Sequence, residues 1–195
     1  FLEQFPLLRA IAKYFYQRIV YLQNYSSIKI KIKDGWVLED PFQDIKGETF
    51  FGYYDKSSFN LNGDLLTHAV IDGSCYIYVK LASGELLKIA KTKAWNWQQG
   101  SMATWLDNDF IGFNDIFNGL VTFCIFSIKK GCVIKKHSNA LQSYSLTNRI
   151  YASISYEKLN LLRPEYGYCK LVNNDFDINY GIKISDIETG ESIYR

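Results

Sequence analysis

One unit of sequence occurs three times in this chain and limits the architectures open to it. Ser57–Val70 (SSFNLNGDLLTHAV), Ala103–Asp115 (ATWLDNDFIGFND) and Gln142–Ser155 (QSYSLTNRIYASIS) each hold a short strand-like run, a tight polar turn and an apolar strand. The turns are Asn60–Gly63, Asp107-Asn108 and Thr147-Asn148. A second hairpin follows each: YIYVKLASGELLKIAK, TFCIFSIKKGCVIKKH and YGIKISDIETGESIY, turning at Ser83-Gly84, Lys130-Gly131 and Thr189-Gly190. The apolar strands start near Leu65, Asp109 and Arg149, a step of roughly 40 to 45 residues, which is the period of propeller blades. Four short antiparallel strands per unit make one blade. No helical period interrupts the runs, which disfavours βαβ units. The chain therefore reads as all-β: a partial β-propeller over 47–195, with about three four-stranded antiparallel blades near 50–92, 101–138 and 139–195. An antiparallel sandwich is the competing reading, but it does not require so regular a period. Three blades cannot close a ring and remove their sheet edges. The remainder of the propeller is therefore expected outside this chain, which begins at Phe1 and stops at Tyr194-Arg195.

Ahead of the repeats, residues 1–24 read as a helix. Leu7, Leu8, Ile11, Phe15, Ile19 and Leu22 recur at three- and four-residue steps, with Arg9, Lys13 and Arg18 interspersed. Pro6 suits a first turn. Such a basic, aromatic helix fits either a peripheral membrane anchor or packing on its own domain or a partner. Residues 25–46 read as a strand pair or linker. Ser27–Lys33 (SIKIKIK) alternates strictly, its lysines discourage edge pairing, and Asp34-Gly35 signals a turn before Trp36-Val37-Leu38.

Composition removes several function classes. The net charge is +2 with scattered lysines, which gives nucleic-acid binding little support. Cys75, Cys124, Cys132 and Cys169 form no CxxC pair and only two histidines exist, so neither a zinc site nor another cofactor is expected. The cysteines read as free thiols packed as small hydrophobes, which suits a reducing, cytoplasmic setting. No apolar run approaches the ~20 residues of a membrane span, and no signal-peptide pattern occurs.

Phe50–Leu66 (FFGYYDKSSFNLNGDLL), NWQQGSMATWL, Tyr156–Tyr168 (YEKLNLLRPEYGY) and GIKISDIETGES together resemble a largely uncharacterised family of bacterial WD40-like, TolB-like propeller proteins. Some of its members are encoded near surface-polysaccharide assembly genes. The resemblance covers nearly the whole chain. It implies a propeller fold and glycans or glycan-assembly proteins as partners. The chain departs from the family pattern at Ser58, which no proline follows, and at Ser101-Met102 after the QQG segment. Oligogalacturonate lyases are a more distant propeller relative with a histidine-rich metal site. With only His68 and His137 here, both in strand positions, that lyase chemistry is not carried over.

Strands of a blade alternate direction, so the short polar turns fall on one face and the remaining connections on the other. Those connections are Glu48–Gly52, Asp72–Ser74, Ala94–Ser101, Asp115–Gly119, His137–Asn139 and the insert Tyr156–Asn179. They bring Trp95, Trp97, Gln98, Gln99, Asn114, Asp115, Arg163, Tyr166 and Tyr168 to one rim, where loops on a rigid scaffold carry binding residues. Indole faces suit sugar rings. Amides supply both donors and acceptors for hydroxyls, and an arginine fork suits carboxylate or phosphate. Each residue also has a structural reading: one tryptophan as a wedge between blades, the glutamines as caps on buried backbone, Arg163 paired with Glu157 or Glu165. The carboxylates Asp55, Asp72, Asp115, Glu157 and Glu165 leave a glycoside-cleaving pair open, because separation is not legible in sequence. His68 reads as a hydrogen-bonded interior histidine. Three functions follow as expectations: a polysaccharide-binding module beside assembly enzymes, a carbohydrate-active enzyme, or a protein-interaction scaffold.

Overall fold

The computed structural model describes residues 6–24, 32–52, 54–168 and 181–194. The chain divides into two compact units, Phe1–Asp40 and Pro41–Arg195. In the first, helix α1 spans Pro6–Asn24. Asn24 Nδ2 donates to Val20 O at 2.8 Å across its last turn. Most of the expected strand Ser27–Lys33 lies outside the described residues. The Asp34-Gly35 turn forms, with Trp36 N donating to Lys33 O at 3.0 Å. Trp36–Leu38, however, forms no strand and is exposed.

The second unit holds three four-stranded antiparallel sheets. Sheet 1 is β1 (Glu48–Phe50), β2 (Leu65–Ile71), β3 (Ser74–Lys80) and β4 (Leu86–Thr92), hydrogen-bonded in chain order. Sheet 2 is β5 (Thr104–Trp105), β6 (Phe110–Phe117), β7 (Leu120–Ser127) and β8 (Cys132–His137). Sheet 3 is β9 (Ser143–Ser145), β10 (Ile150–Ile154), β11 (Ile182–Asp186) and β12 (Ser192–Tyr194). The three units of the sequence repeat thus become three sheets of one topology, and they do not close a ring. Two details differ from the sequence reading: Asp115–Phe117, which the pattern places in a connection, belong to β6, and sheet 1 begins with a different segment. The first strand of sheet 1 is Glu48–Phe50, which the pattern places in a connection. Ser57–Phe59 contributes only an isolated bridge, Phe59 to Leu65.

Turn chemistry sets the registers. Asp72-Gly73 and Asn118-Gly119 have φ of 48°, 70°, 50° and 80°. Positive φ at both central residues is the type I′ geometry that suits a two-residue hairpin. In sheet 3 the corresponding turn is replaced by the insert, which opens with helix α2 (Tyr156–Leu162) capped by Ser155, whose Oγ accepts from Lys158 N. At the other end, Asp64 and Asp109 play one role twice. Each carboxylate accepts from a backbone N–H of the neighbouring hairpin turn, Ala82 and Lys129, at 2.9 and 2.8 Å.

Sheet 2 lies between the other two. Leu66, Ile77 and Val79 of sheet 1 pack with Trp105, Ile111, Phe113 and Phe126. On the other face Phe123, Ile125 and Leu106 pack with Leu141, Tyr151 and Ile187. A strand covered on both faces needs no polar alternation, which explains the near-continuous apolar run LVTFCIFS in β7. Phe42 and Ile45, which the sequence reading leaves in the linker, are buried against Ala69 on sheet 1. Cys75 and Cys124 are buried in strands as expected, but Cys132 is exposed. It begins β8, the edge strand of its sheet. Burial, reinforced by Asp115 and partly offset by Lys136, pushes the Cys124 thiol up to about 12, so it stays a packed, inert thiol.

Two polar clamps tie consecutive sheets. From β2, His68 Nε2 meets Ser101 N at 3.0 Å and Ser101 Oγ at 2.9 Å. From β6, Asn114 Oδ1 accepts from Leu141 N at 2.7 Å and its Nδ2 donates to Leu141 O at 2.8 Å. Ser101 and Leu141 both stand ahead of the first strand of the next sheet. His68 Nδ1 lies 2.8 Å from Phe51 O. A carbonyl only accepts, so Nδ1 carries the proton and Nε2 receives the Ser101 N–H. Burial, with a smaller push from the Lys56 charge, lowers the His68 pKa from 6.5 to about 4 against the opposing pull of the Phe51 and Phe50 carbonyls.

The fold therefore holds His68 neutral while the unfolded chain protonates it below pH 6.5. Its contribution is complete above pH 6.5, declines as the pH falls toward about 4, and levels off below. The slope reaches about 1.4 kcal/mol per pH unit. Urea unfolding across this range is expected to show that decline. The His68→Gln chain is expected to show a shallower one, with the part due to His137 remaining. Equal slopes in the two proteins would reject this assignment.

Candidate ligand-binding rim

The crossover from β4 to β5, residues 93–103, is built around Asn96. Its Oδ1 accepts from Gln98 N at 3.0 Å and Gln99 N at 2.7 Å, an Asx turn that coils the segment. Its backbone exchanges hydrogen bonds with Gly100 in both directions, at 3.2 and 2.9 Å. Its Nδ2 reaches out of the loop to Tyr166 O at 2.9 Å. One side chain thus shapes the WNWQQG loop and joins it to the insert, 70 residues further on. Gly100 has φ +60°, and a Cβ there would run into the His68 ring. The glycine is therefore required twice, by conformation and by the close approach of the clamp.

Aromatic rings pile up over that clamp. Phe50 stacks on His68 at 5.1 Å, and Trp97 lies 5.1 Å from Phe50. Trp95 meets Trp97 edge-on at 5.2 Å and 83°. Trp95 is half-buried, whereas Trp97 is 53% exposed. Trp97 is thus an outward-facing indole whose position is held by rings on its protein side. Gln98 beside it is exposed, and Gln99 is half-buried. The Gln99 side-chain oxygen has no hydrogen-bond partner among the described residues.

Beneath this surface lies a layer of saturated polar groups. Asn114 is fully buried, and besides its clamp it donates to the Tyr168 hydroxyl at 3.0 Å. Tyr168 lies flat on Tyr156, with centroids 4.2 Å apart and an interplanar angle of 3°. Burial drives both phenols well above their usual pKa, so both stay neutral hydrogen-bonding groups. The Tyr156 hydroxyl donates to Gln142 Oε1 at 2.9 Å. Asp115 Oδ1 accepts from Lys93 N at 2.9 Å, Thr92 Oγ1 at 3.2 Å and Ile116 N at 2.8 Å. On the insert, exposed Arg163 pairs with Glu165 at 3.3 Å. Tyr166 is half-buried and lends its carbonyl to Asn96.

Of the connections that sequence reasoning brings together, the Ala94–Ser101 loop and the insert meet, through Asn96 to Tyr166, and Asn114 of β6 reaches Tyr168. The nine residues then divide by role. Asn114, Asp115 and Tyr168 are engaged inside the protein. Trp97, Gln98 and Arg163 face outward, with Trp95, Gln99 and Tyr166 between. Sequence reasoning passed over Asn96 and Phe50. An asparagine two residues before a Gln-Gln-Gly run is a turn signal and marks the former. Nothing local marks Phe50, which joins the site only because β1 pairs beside His68. His137 is likewise interior, against the Phe123 and Tyr151 rings with Nε2 2.9 Å from Ile187 O. Among the described residues no group of three or more His, Cys, Asp or Glu side chains is placed to hold a metal.

A separate cleft of about 800 Å³ opens on the first-strand side of the sheets, lined by Lys56, Trp105, Asp107, Asn108 and Tyr144 among others. None of the nine rim residues lines it. Its walls are tied together, with Trp105 Nε1 donating to Ser58 O at 2.8 Å and the Tyr144 hydroxyl donating to Trp105 O. Lys56 is depressed in pKa by burial, against the raising effect of Asp55, and its Nζ lies 3.4 Å from Met102 Sδ. No protein-family model matches the chain, and no curated protein or solved structure matches it.

The geometry at Gly100 sets a sharp expectation. At Gly84, with φ +94° and open space around the missing Cβ, substitution by alanine costs only backbone strain, about 1 kcal/mol. Gly100→Ala adds displacement of the His68 ring and is expected to cost about 3 kcal/mol or more. Urea unfolding of the two variants checks the difference, and equal costs would show that the ring yields freely.

Proposed function

We propose that this chain is part of a β-propeller whose loop-bearing rim binds carbohydrate, a surface polysaccharide or its precursor, as an accessory to polysaccharide assembly. The observation that supports this most is Trp97. It offers an exposed indole held by Phe50 and Trp95, in a loop that also exposes Gln98. A sugar ring presents C–H groups on one face and hydroxyls at its edge. The indole takes the face, while exposed Gln98 supplies donors and acceptors for the edge. Among the described residues the Arg163 side chain makes one exposed ion pair, with Glu165, a contact worth little in water. It is therefore available to a carboxylate or phosphate on an acidic glycan. The scaffold below is already hydrogen-bonded, so binding orders few groups anew, which favours affinity. Glycoside cleavage is supported less, since it needs two carboxylates flanking the bond and the one rim carboxylate of the nine, Asp115, accepts three hydrogen bonds from the protein. The protein-scaffold reading draws on one specific observation, the exposed Leu161 and Leu162 of α2 beside Arg163.

Glycan-array binding tests the proposal, with acidic and neutral glycans side by side. The chain is expected to bind a subset. Trp97→Ala is expected to weaken that binding by about tenfold or more, equivalent to about 1.4 kcal/mol, with unfolding in urea unchanged. Arg163→Ala is expected to weaken acidic glycans selectively. Binding to no glycan, or full binding by Trp97→Ala, would sink the reading. Capture of a protein partner lost in Leu161→Asp would replace it with the scaffold.

A further inference from the structure

Helix α1 is not used by the rim, and it has a composition of its own. Between Pro6 and Asn24 it carries Arg9, Lys13 and Arg18 and no acidic residue. At 3.6 residues per turn, Leu7, Leu8, Ile11, Phe15, Ile19 and Leu22 fall within an arc of about 120°. All six are exposed. Arg9 and Lys13 occupy positions on the opposite side. Tyr14 and Tyr21 mark one border of the apolar arc and Tyr16 the other, and all three are exposed as well. Arg18 stands just inside the first border, and its guanidinium lies over the Tyr14 ring at 5.5 Å. A long basic side chain at such a border can lay its stem on apolar surroundings and keep its charge outside.

We propose that α1 lies in the plane of an anionic lipid surface, with its leucine, isoleucine and phenylalanine side chains in the acyl boundary. The tyrosines then sit at headgroup level, where amphipathic rings are favoured, and the three cations meet acidic headgroups. Charge decides between this occupant and a second copy of the helix. Paired helices rely on opposite charges beside the apolar seam to set partner and register. Arg18, the cation that borders the apolar arc, would find no acidic partner in Pro6–Asn24 of a second copy, and Arg9 and Lys13 on the polar side would lie away from such a seam. No helix among the described residues is long and apolar enough to cross a membrane, so the mode is a surface one, of the kind an amphipathic basic helix adopts.

Flotation of the whole chain with vesicles tests this. Vesicles of phosphatidylcholine with a minority of phosphatidylserine are expected to carry the chain up the gradient, less so as salt is raised. Pure phosphatidylcholine vesicles are expected to carry little. Reversing two charges, Lys13→Glu with Arg18→Glu, is expected to reduce binding by about tenfold or more. Phe15→Asp, which keeps every cation, is expected to reduce it comparably. Circular dichroism confirms that the sheets of each variant are folded. The charge-reversed variant tests the electrostatic contribution and Phe15→Asp chiefly the apolar one, since it removes the ring and changes the charge far less than the double reversal, so a folding failure in one leaves the other decisive. Absence of flotation overturns the proposal, as does binding insensitive to both changes. A salt-stable dimer in sedimentation that Phe15→Asp abolishes, with no vesicle binding, would assign the face to a second copy.

Discussion

The arrangement depends on a side chain from the second strand of one sheet gripping backbone ahead of the next sheet. His68 does this to Ser101, and Asn114 does it to Leu141. Apolar packing between sheets is strong but not directional, and flat faces of Leu, Ile and Phe tolerate sliding. A buried polar group that must find its partner does not, because leaving it unpaired costs about 1–3 kcal/mol. The clamps thus convert a stack of apolar faces into one register. They also connect backbone that enters a sheet with the connections above it. His68 holds the Gly100–Ser101 corner, and Asn114 holds Leu141 and Tyr168 together.

The rim inherits its order from those clamps. Phe50 rests on the His68 ring and Trp97 on Phe50, so the exposed indole is the third ring of a stack that begins with the hydrogen-bonded His68 ring. The insert is held by the Tyr156–Tyr168 stack, which Asn114 anchors, and by Asn96 reaching to Tyr166. The proposed binding surface would combine residues that meet a ligand with residues that only hold them in place. The two sorts look alike in sequence, since both are polar or aromatic. Their difference is burial: Asn114 and Tyr168 are closed in, while Trp97, Gln98 and Arg163 are not.

The three-sheet organisation was legible because its causes are local. The Asn-Gly and Asp-Gly turns impose positive φ, the alternating runs between them impose strands, and the step between units imposes the repeat. The site was legible in part. Strand alternation was enough to predict that the WNWQQG loop and the LRPEYGY insert meet. It was not enough to find Phe50, because β1 arrives from a segment without the repeat's pattern. It also could not say that the strand of the first unit would come from Glu48–Phe50 rather than Ser57–Phe59, since three-residue edge strands carry almost no periodic signal.

By itself the sequence determined most of the strands, their turns and the basic amphipathic helix, because each follows from spacing and residue type along one segment. Only the tertiary structure decided which of the loop residues work outward and which inward. Asn114 lies in β6 and Trp97 in the crossover ahead of β5. One is enclosed between two sheets, and the other is lifted by a ring stack that joins three segments far apart in the chain. The same holds for Gly100, whose need to be glycine comes as much from the histidine of the preceding sheet as from its own turn.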